Sequence, residues 1–284
     1  MRGVVLLLGV GAAALMLPGS SPAATATRAL IITSEARTLS DLDDCEHFHT
    51  QNFTSFPAQA HAEEQREVPL SGVDLVKVRA TESGGVLVRG WDRPVARLTV
   101  CKYAVGFTQP QADRSLSNVG VSIRNGEIAT NGPDVNSSNV WWVHMILRVP
   151  RRANLDVASA NGGIAIRNMI GRVTARATNG AISLASCAGE NRLTTSSGGI
   201  SLDHNSGSVD ATTADGPISL KLHRDHALPT IDAQVDDERG EIVCNMKECA
   251  GGWTDGKRHM RIGSSSPLIH LATGRAPIVI EQVR

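Results

Sequence analysis

The sequence predicts an all-β protein organised as a parallel β-solenoid with coils of about 18 residues, and three observations predict it. The first is a period. Asn161-Gly162-Gly163-Ile164, Asn179-Gly180-Ala181-Ile182, Ser197-Gly198-Gly199-Ile200 and Asp215-Gly216-Pro217-Ile218 begin 18 positions apart each time. A fixed period in this range marks an architecture that stacks one small unit on the next. The second is alternation. Two positions after each leading isoleucine stands another apolar residue, Ile166, Leu184, Leu202 or Leu220, with Ala165, Ser183, Ser201 or Ser219 between. That is the signature of a strand with one buried face. The third is a second alternating stretch per unit: Leu155 and Val157, Val173 and Ala175, Asn191 and Leu193, Val209 and Ala211, with Gly171, Gly189 and Gly207 recurring between the two. Two strands and two corners describe one coil.

Each element follows from stacking. Parallel strands about 4.8 Å apart set equivalent residues of neighbouring coils over one another. Ile164, Ile182, Ile200 and Ile218 are therefore expected to form one interior column, and Ile166, Leu184, Leu202 and Leu220 a second. No coil buries its apolar face alone. Gly162, Gly180, Gly198 and Gly216 suit a left-handed position or a tight approach that a Cβ would obstruct. Asn161, Asn179, Ser197 and Asp215 suit the same corner, because short polar side chains bond locally to turn backbone. Their expected role is structural. Asn-Gly hairpins are the rival local reading, but hairpin chains rarely hold one invariant spacing.

The pattern extends in both directions. Asn125-Gly126-Glu127-Ile128 lies 36 residues before Asn161, two periods, and Trp141 to Val149 is expected to supply the intervening coil without a glycine corner. Ser83-Gly84-Gly85-Val86-Leu87-Val88 repeats the motif near the start; Gly240-Glu241-Ile242 and Ala276-Pro277-Ile278-Val279-Ile280 echo it near the end. Terminal coils should be atypical, because they cap an open core and its unpaired edge. Residues 68–284 thus read as one elongated solenoid domain, with coil counts unsettled over 114–149 and after 222.

Ahead of it, Arg2, an apolar run from Val4 to Leu17, Pro18 and Ala24-Thr25-Ala26 predict a secretory signal peptide over residues 1–26. The apolar run is short of the roughly 20 residues that a membrane span needs, and no transmembrane segment is expected in the mature chain. Residues 27–67 are more polar and read as an N-terminal arm or cap. The expected location is the periplasm, the cell surface or the exterior.

Basic and acidic residues balance at 28 each, without a run of Lys or Arg, which argues against nucleic acid as a partner. Aromatic residues make up only 3% of the chain, few for the exposed ring platforms of a sugar site. Five cysteines in an exported chain invite pairing. Cys244 and Cys249 flank a short loop, and Cys45 can pin the arm to Cys101. Cys187 falls one period after Met169 and reads as a buried ladder position.

Candidate chemistry is sparse. Glu46, His47 and His49 form one acidic-histidine cluster, and His223, Asp225 and His226 another; imidazole with carboxylate can bind zinc, although surface histidines in irregular segments are the commoner explanation. Asp43-Asp44 and Asp236-Asp237 imitate the acids of a β-helix lyase or glycosidase, yet adjacent carboxylates point to opposite faces of a strand, and such enzymes hold theirs across a groove. No nucleophile elbow, phosphate loop or zinc-helix motif occurs. Thr195 with Thr213 and Ser183 with Ser201 are expected on solvated strand faces. Neither catalytic residues, nor a cofactor, nor a metal site is assigned.

Gly84-Gly85-Val86-Leu87-Val88-Arg89-Gly90-Trp91-Asp92, followed by Leu98 to Cys101, resembles the opening of a bacterial adhesin-like family of unknown function, and the Asn-Gly-x-Ile units resemble its later coils. The resemblance covers residues 68–284. It implies a parallel β-solenoid related to the head domains of autotransporter adhesins, with no catalytic residues to carry over. The expected function is therefore non-enzymatic: surface interaction, adhesion or envelope structure, toward an unidentified protein or glycan, the oligomeric state being open. Two alternatives stand beside it. One is a polysaccharide-active enzyme using Asp203 or Asp210, and the other a periplasmic assembly or regulatory module. Thr130 to Asn139 and His223 to Glu238 are the loops expected to bind.

Overall fold

A computed structural model describes residues 44–45, 56–70, 72–80, 83–136, 140–224 and 227–283. The proposed signal peptide, the histidines at 47 and 49 and the pair Asp225–His226 lie outside the described residues. Among the described residues are 21 strands and one α-helix, Gln109–Ser117, and the strands form two sheets of ten and eleven.

Four central coils follow the 18-residue period. One sheet takes Asn154–Ser159, Val173–Ala177, Asn191–Thr195 and Val209–Thr213; the other takes Ile164–Arg167, Ile182–Ala185, Ile200–Asp203 and Ile218–His223. All neighbours pair in parallel. Ile164, Ile182, Ile200 and Ile218 stand in register and are at most 2% exposed. Ile166, Leu184, Leu202 and Leu220 form the column beside them, also buried. On the other sheet Leu155, Val173, Asn191 and Val209 stand in one register column and are buried as well. Cys187 is buried beside this core, and burial pushes its thiol up to about 12.

The corner glycines owe their identity to close approach. A Cβ on Gly162, Gly180, Gly198 or Gly216 would collide with the carbonyl oxygen of Gly84, Gly162, Gly180 or Gly198 in the adjoining coil. Gly171, Gly189 and Gly207 are confined in the same way at the other corner. Left-handed backbone occurs elsewhere, at Asn168, Ser186 and His204, with φ of 60°, 54° and 53°. These three are themselves 18 residues apart. The threonines expected on a solvated face are instead buried: Thr195 and Thr213 are at most 3% exposed, because their hydroxyls are consumed by corner backbone.

At both ends stacking order departs from chain order. The coil made by Leu75–Ala80 and Val86–Trp91 lies against the first central coil, and Glu127–Asn131 with Val140–Pro150 packs outside it. At the other end, Leu268–Thr273 and Ile278–Val283 lie on the fourth coil, and the earlier Thr230–Val235 and Ile242–Cys244 are displaced outward. The interior column therefore reads Met145, Val86, Ile164, Ile182, Ile200, Ile218, Ile278, Ile242. Asn125-Gly126 is not a coil corner. With φ of 48° and 76° it turns an antiparallel hairpin between Gly120–Arg124 and Glu127–Asn131, which is the geometry Asn-Gly favours locally, and its strand joins the sheet opposite the one expected.

The ends are closed by antiparallel pieces. Ala58–Val68 pairs along its whole length with Ala96–Gly106, so the arm boundary expected at residue 67 falls inside a strand. Its charged run Glu63 to Glu67 blunts the sheet edge. The helix packs Ala112 against Ala58 and Ala60, and the Gln111 side chain accepts the Thr108 amide at 3.2 Å at its start. A disulfide joins Cys45 to Cys101 over a second small core of Leu87, Tyr103, Trp142 and Ile146 on the outer face. At the far end a second disulfide, Cys244–Cys249, and the hairpin of Trp253–Asp255 with His259–Ile262 close the stack, burying Met260.

Candidate functional site

The candidate site forms where the period breaks. The strands Ile164–Arg167, Ile182–Ala185 and Ile200–Asp203 have four residues each, and a left-handed residue follows within one position. Ile218–His223 has six. Its chain runs straight on through Leu222, the position one period after His204, and delivers His223 above the corner of the previous coil. There His223 Nε2 lies 2.8 Å from an Asp203 carboxylate oxygen. Its ring meets His204 edge-on, with centroids 4.4 Å apart at 77°.

Beside this pair is a cavity of about 210 Å³. Its apolar side is Leu222, Leu228, Pro229 and Pro267; its polar side includes Ser206, Lys221, His223 and Gln282. The walls come from the corner at 204–206, the strand residues Lys221 to His223, residues 227–229, Ser266 and Pro267 before the strand Leu268–Thr273, and Gln282 of the last strand. Asn205 also reaches the cavity but serves structure: its side chain accepts the Cys187 amide at 2.9 Å and donates to the Leu184 carbonyl at 3.0 Å. The Lys221 ammonium lies 3.6 Å from Glu281. A lining that mixes a few polar groups with apolar side chains suits a small polar or saccharide-like group.

The structure separates several residues considered as chemistry. Asp203 belongs to the ten-stranded sheet and is engaged by His223. Asp210 belongs to the eleven-stranded sheet, where it pairs with Arg192 at 3.1 Å and His270 at 3.1 Å. The two carboxylates occupy opposite sheets and do not flank a common groove. Asp237 is bound by Arg239 at 2.7 Å, which holds its carboxyl below the usual carboxylate range. Among the described residues, no three His, Cys, Asp or Glu side chains are grouped to hold a metal ion, and no helix is long and apolar enough to cross a membrane. Asn161, Asn179, Ser197 and Asp215 lie at the opposite corner and bond within the stack: Asn179 donates to Asn161 at 2.8 Å, and Arg275 reaches Asp215 at 2.6 Å. His204 escaped the sequence reading. Its one signal was its place 18 residues after Ser186.

The outer faces carry different charge patterns. On the eleven-stranded sheet one column reads Glu127, Lys77, Asp156, Thr174, Arg192, Asp210, His270, Asp232, Arg261, with basic and acidic positions interleaved. Opposite charges directly across strands are favourable and like charges unfavourable. On the ten-stranded sheet the matching column reads Arg97, Arg148, Arg89, Arg167, Ala185, Asp203, Lys221, Glu281. Four arginines stand in succession, and the same column then leads to the cavity.

No curated protein matches the chain. Among solved structures, a candidate cell adhesion protein from Clostridium sporogenes is similar at 13% identity and a TM-score of 0.44, over 79% of this chain and 100% of that one. A candidate lipid binding protein from Parabacteroides distasonis is similar at 11% identity and a TM-score of 0.27, over 78% and 97%. Likenesses this distant assign no chemistry. A family match does place the chain: the family described as Toastrack DUF4097 matches residues 107–248, half of the 284-residue sequence, and the chain belongs to that family.

Proposed function

We propose that this protein is an exported, non-enzymatic β-solenoid that binds a surface or envelope ligand, as an adhesive or structural element. The observation that carries the binding reading is the cavity at His223. It sits at the one place among the central coils where a strand overruns its corner, and it is lined by an imidazole, an ammonium and an amide together with apolar side chains. Export is supported by the apolar segment from Val4 to Leu17 and by two disulfides, which persist in oxidising compartments. The separation of Asp203 from Asp210 supports binding over hydrolysis, since paired carboxylates must flank one bond.

Titration calorimetry with a panel of envelope glycan and peptide fragments tests the reading. A ligand should be found whose affinity falls roughly tenfold in a His223→Ala/Gln282→Ala variant with an unchanged melting temperature. Turnover of any acidic polysaccharide, lost in Asp203→Asn, would count against it.

A further inference from the structure

We propose that the cavity at His223 recognises the acetamido group of an N-acetylated amino sugar, an inference that rests on reading that cavity as the binding site. The cavity opens where two neighbouring strands overrun their corner together. Ile218–His223 and Ile278–Val283 have six residues each and pair to their ends, Leu222 with Gln282 and His223 with Val283. Gln282 continues the buried phase of Ile278 and Ile280, yet it is polar and exposed. An apolar side chain there would extend the packing around Leu222. A polar residue at an apolar position is a departure expected at functional sites.

The lining discriminates between ligand classes by what it donates and accepts. A carboxylate only accepts, so the Nε2 that meets Asp203 at 2.8 Å carries the proton of a neutral imidazole. Nδ1 is then an acceptor. The pair is sheltered, with side-chain exposures of 16% for His223 and 13% for Asp203. The Gln282 carboxamide both donates and accepts, and Ser206 and Ser266 add hydroxyls. Lys221 lies 3.6 Å from Glu281, which balances its charge. Leu228, Pro229 and Pro267 bring apolar surface, and a proline ring has no N–H to satisfy.

An acetamido group matches this set. Its N–H meets the Nδ1 acceptor, its carbonyl oxygen meets the Gln282 amide, and its methyl group covers the apolar wall. A carboxylate would set oxygen lone pairs against Nδ1, and an ammonium would stand near Lys221. A plain hydroxyl has no methyl to bury. No tryptophan, tyrosine or phenylalanine is among the described lining residues, so a sugar ring finds no aromatic platform and recognition falls to its substituent. The volume of about 210 Å³ lies below the roughly 300 Å³ at which pockets for drug-sized ligands begin. That suits one substituent with part of its ring, not a length of polymer.

Titration calorimetry and saturation-transfer NMR test this with N,N′-diacetylchitobiose, the glucosamine dimer that lacks its acetyl groups, cellobiose and N-acetylalanine methylamide. Diacetylchitobiose should bind, with the strongest transfer at its acetyl methyl groups. The two sugars without acetyl groups should bind at least roughly tenfold more weakly. Gln282→Leu should weaken diacetylchitobiose by about tenfold without changing the melting temperature. If that variant unfolds, Gln282→Glu, which removes the donor and keeps the side-chain length, provides the same comparison. Cellobiose or the peptide amide binding as tightly, with the loss in Gln282→Leu, would overturn the acetamido sugar and leave the cavity as a binding site. Diacetylchitobiose binding that neither Gln282→Leu nor His223→Ala weakens would overturn both. Absence of binding by all four probes would overturn the acetamido assignment alone.

Discussion

The hydroxyl of Thr195 donates to the carbonyl of Gly180, one coil away, at 3.0 Å, and accepts the amide of Gly198 in its own coil at 3.1 Å. Thr213 repeats both bonds with Gly198 and Gly216, each at 3.0 Å, and Thr273 continues the row to Gly216. Each threonine thus ties one tight corner to the next, where the glycine backbones are too close for a side chain. Replacing Thr213 with valine keeps the shape but leaves a buried carbonyl and a buried amide unpaired, at a cost of about 2 kcal/mol. Thr212→Val, one residue earlier and exposed, should change stability little. Urea midpoints of the two variants check this.

Asn191 interrupts an interior column between Val173 and Val209. Its amide nitrogen donates to Gly189 and Ser208, while its buried side-chain oxygen has no hydrogen-bond partner. An unpaired buried oxygen offsets what the two donated bonds contribute. Asn191→Val should therefore stay within about 1 kcal/mol of the parent. Asn191→Asp puts a charge against two carbonyls and should lose about 3–5 kcal/mol at neutral pH. Thermal unfolding of both variants distinguishes the cases.

His144 is buried, and its Nδ1 accepts the Gly85 amide at 2.9 Å. Burial lowers its pKa from 6.5 to about 4. The neutral ring is native, so this contribution is complete above pH 6.5, where neither state binds the proton. Between pH 6.5 and 4 the unfolded chain takes up a proton that the folded chain refuses, and up to about 3 kcal/mol is lost. His144→Asn keeps an acceptor toward Gly85 without the titration. The difference between the two stability–pH curves should shrink from neutral pH toward 4; a constant difference would contradict it.

The central coils were legible because every coil repeats the same choices: a short polar residue, a close-packed glycine, then an apolar pair. The ends were not, because sequence order does not set stacking order. Ile278 and Ile242 carry the same local pattern, and either could lie on Ile218; the antiparallel closure by Met260 and its hairpin decides between them, and nothing local records it. Asn125-Gly126 shows the converse. Its distance of two periods from Asn161 suggested a coil, yet both residues are left-handed and the local hairpin preference won. Thr195 and Thr213 fell on the apolar-facing phase of their strands, a signal outweighed by their polarity. The column of arginines was invisible for a simple reason: Arg89, Arg97, Arg148 and Arg167 form no run in the chain and are aligned only by strand register.

The Cys45–Cys101 bridge closes a separation of 56 residues and fastens the start of the described chain to the outer face. By loop-closure entropy it contributes roughly 4 kcal/mol, against about 2 for Cys244–Cys249 with a separation of five. Cys101→Ser should lower the melting temperature more than Cys244→Ser. The Cys187 thiol, buried and held protonated, should resist alkylation until the protein is unfolded, which mass spectrometry checks.

Nuclear Overhauser contacts between selectively labelled isoleucine methyl groups test the stacked column most directly. The stacking order requires an unbroken walk from Ile164 through Ile182, Ile200 and Ile218 to Ile278 and then Ile242. A direct Ile218–Ile242 contact in place of Ile218–Ile278, or a break between any two of the four central isoleucines, would contradict it.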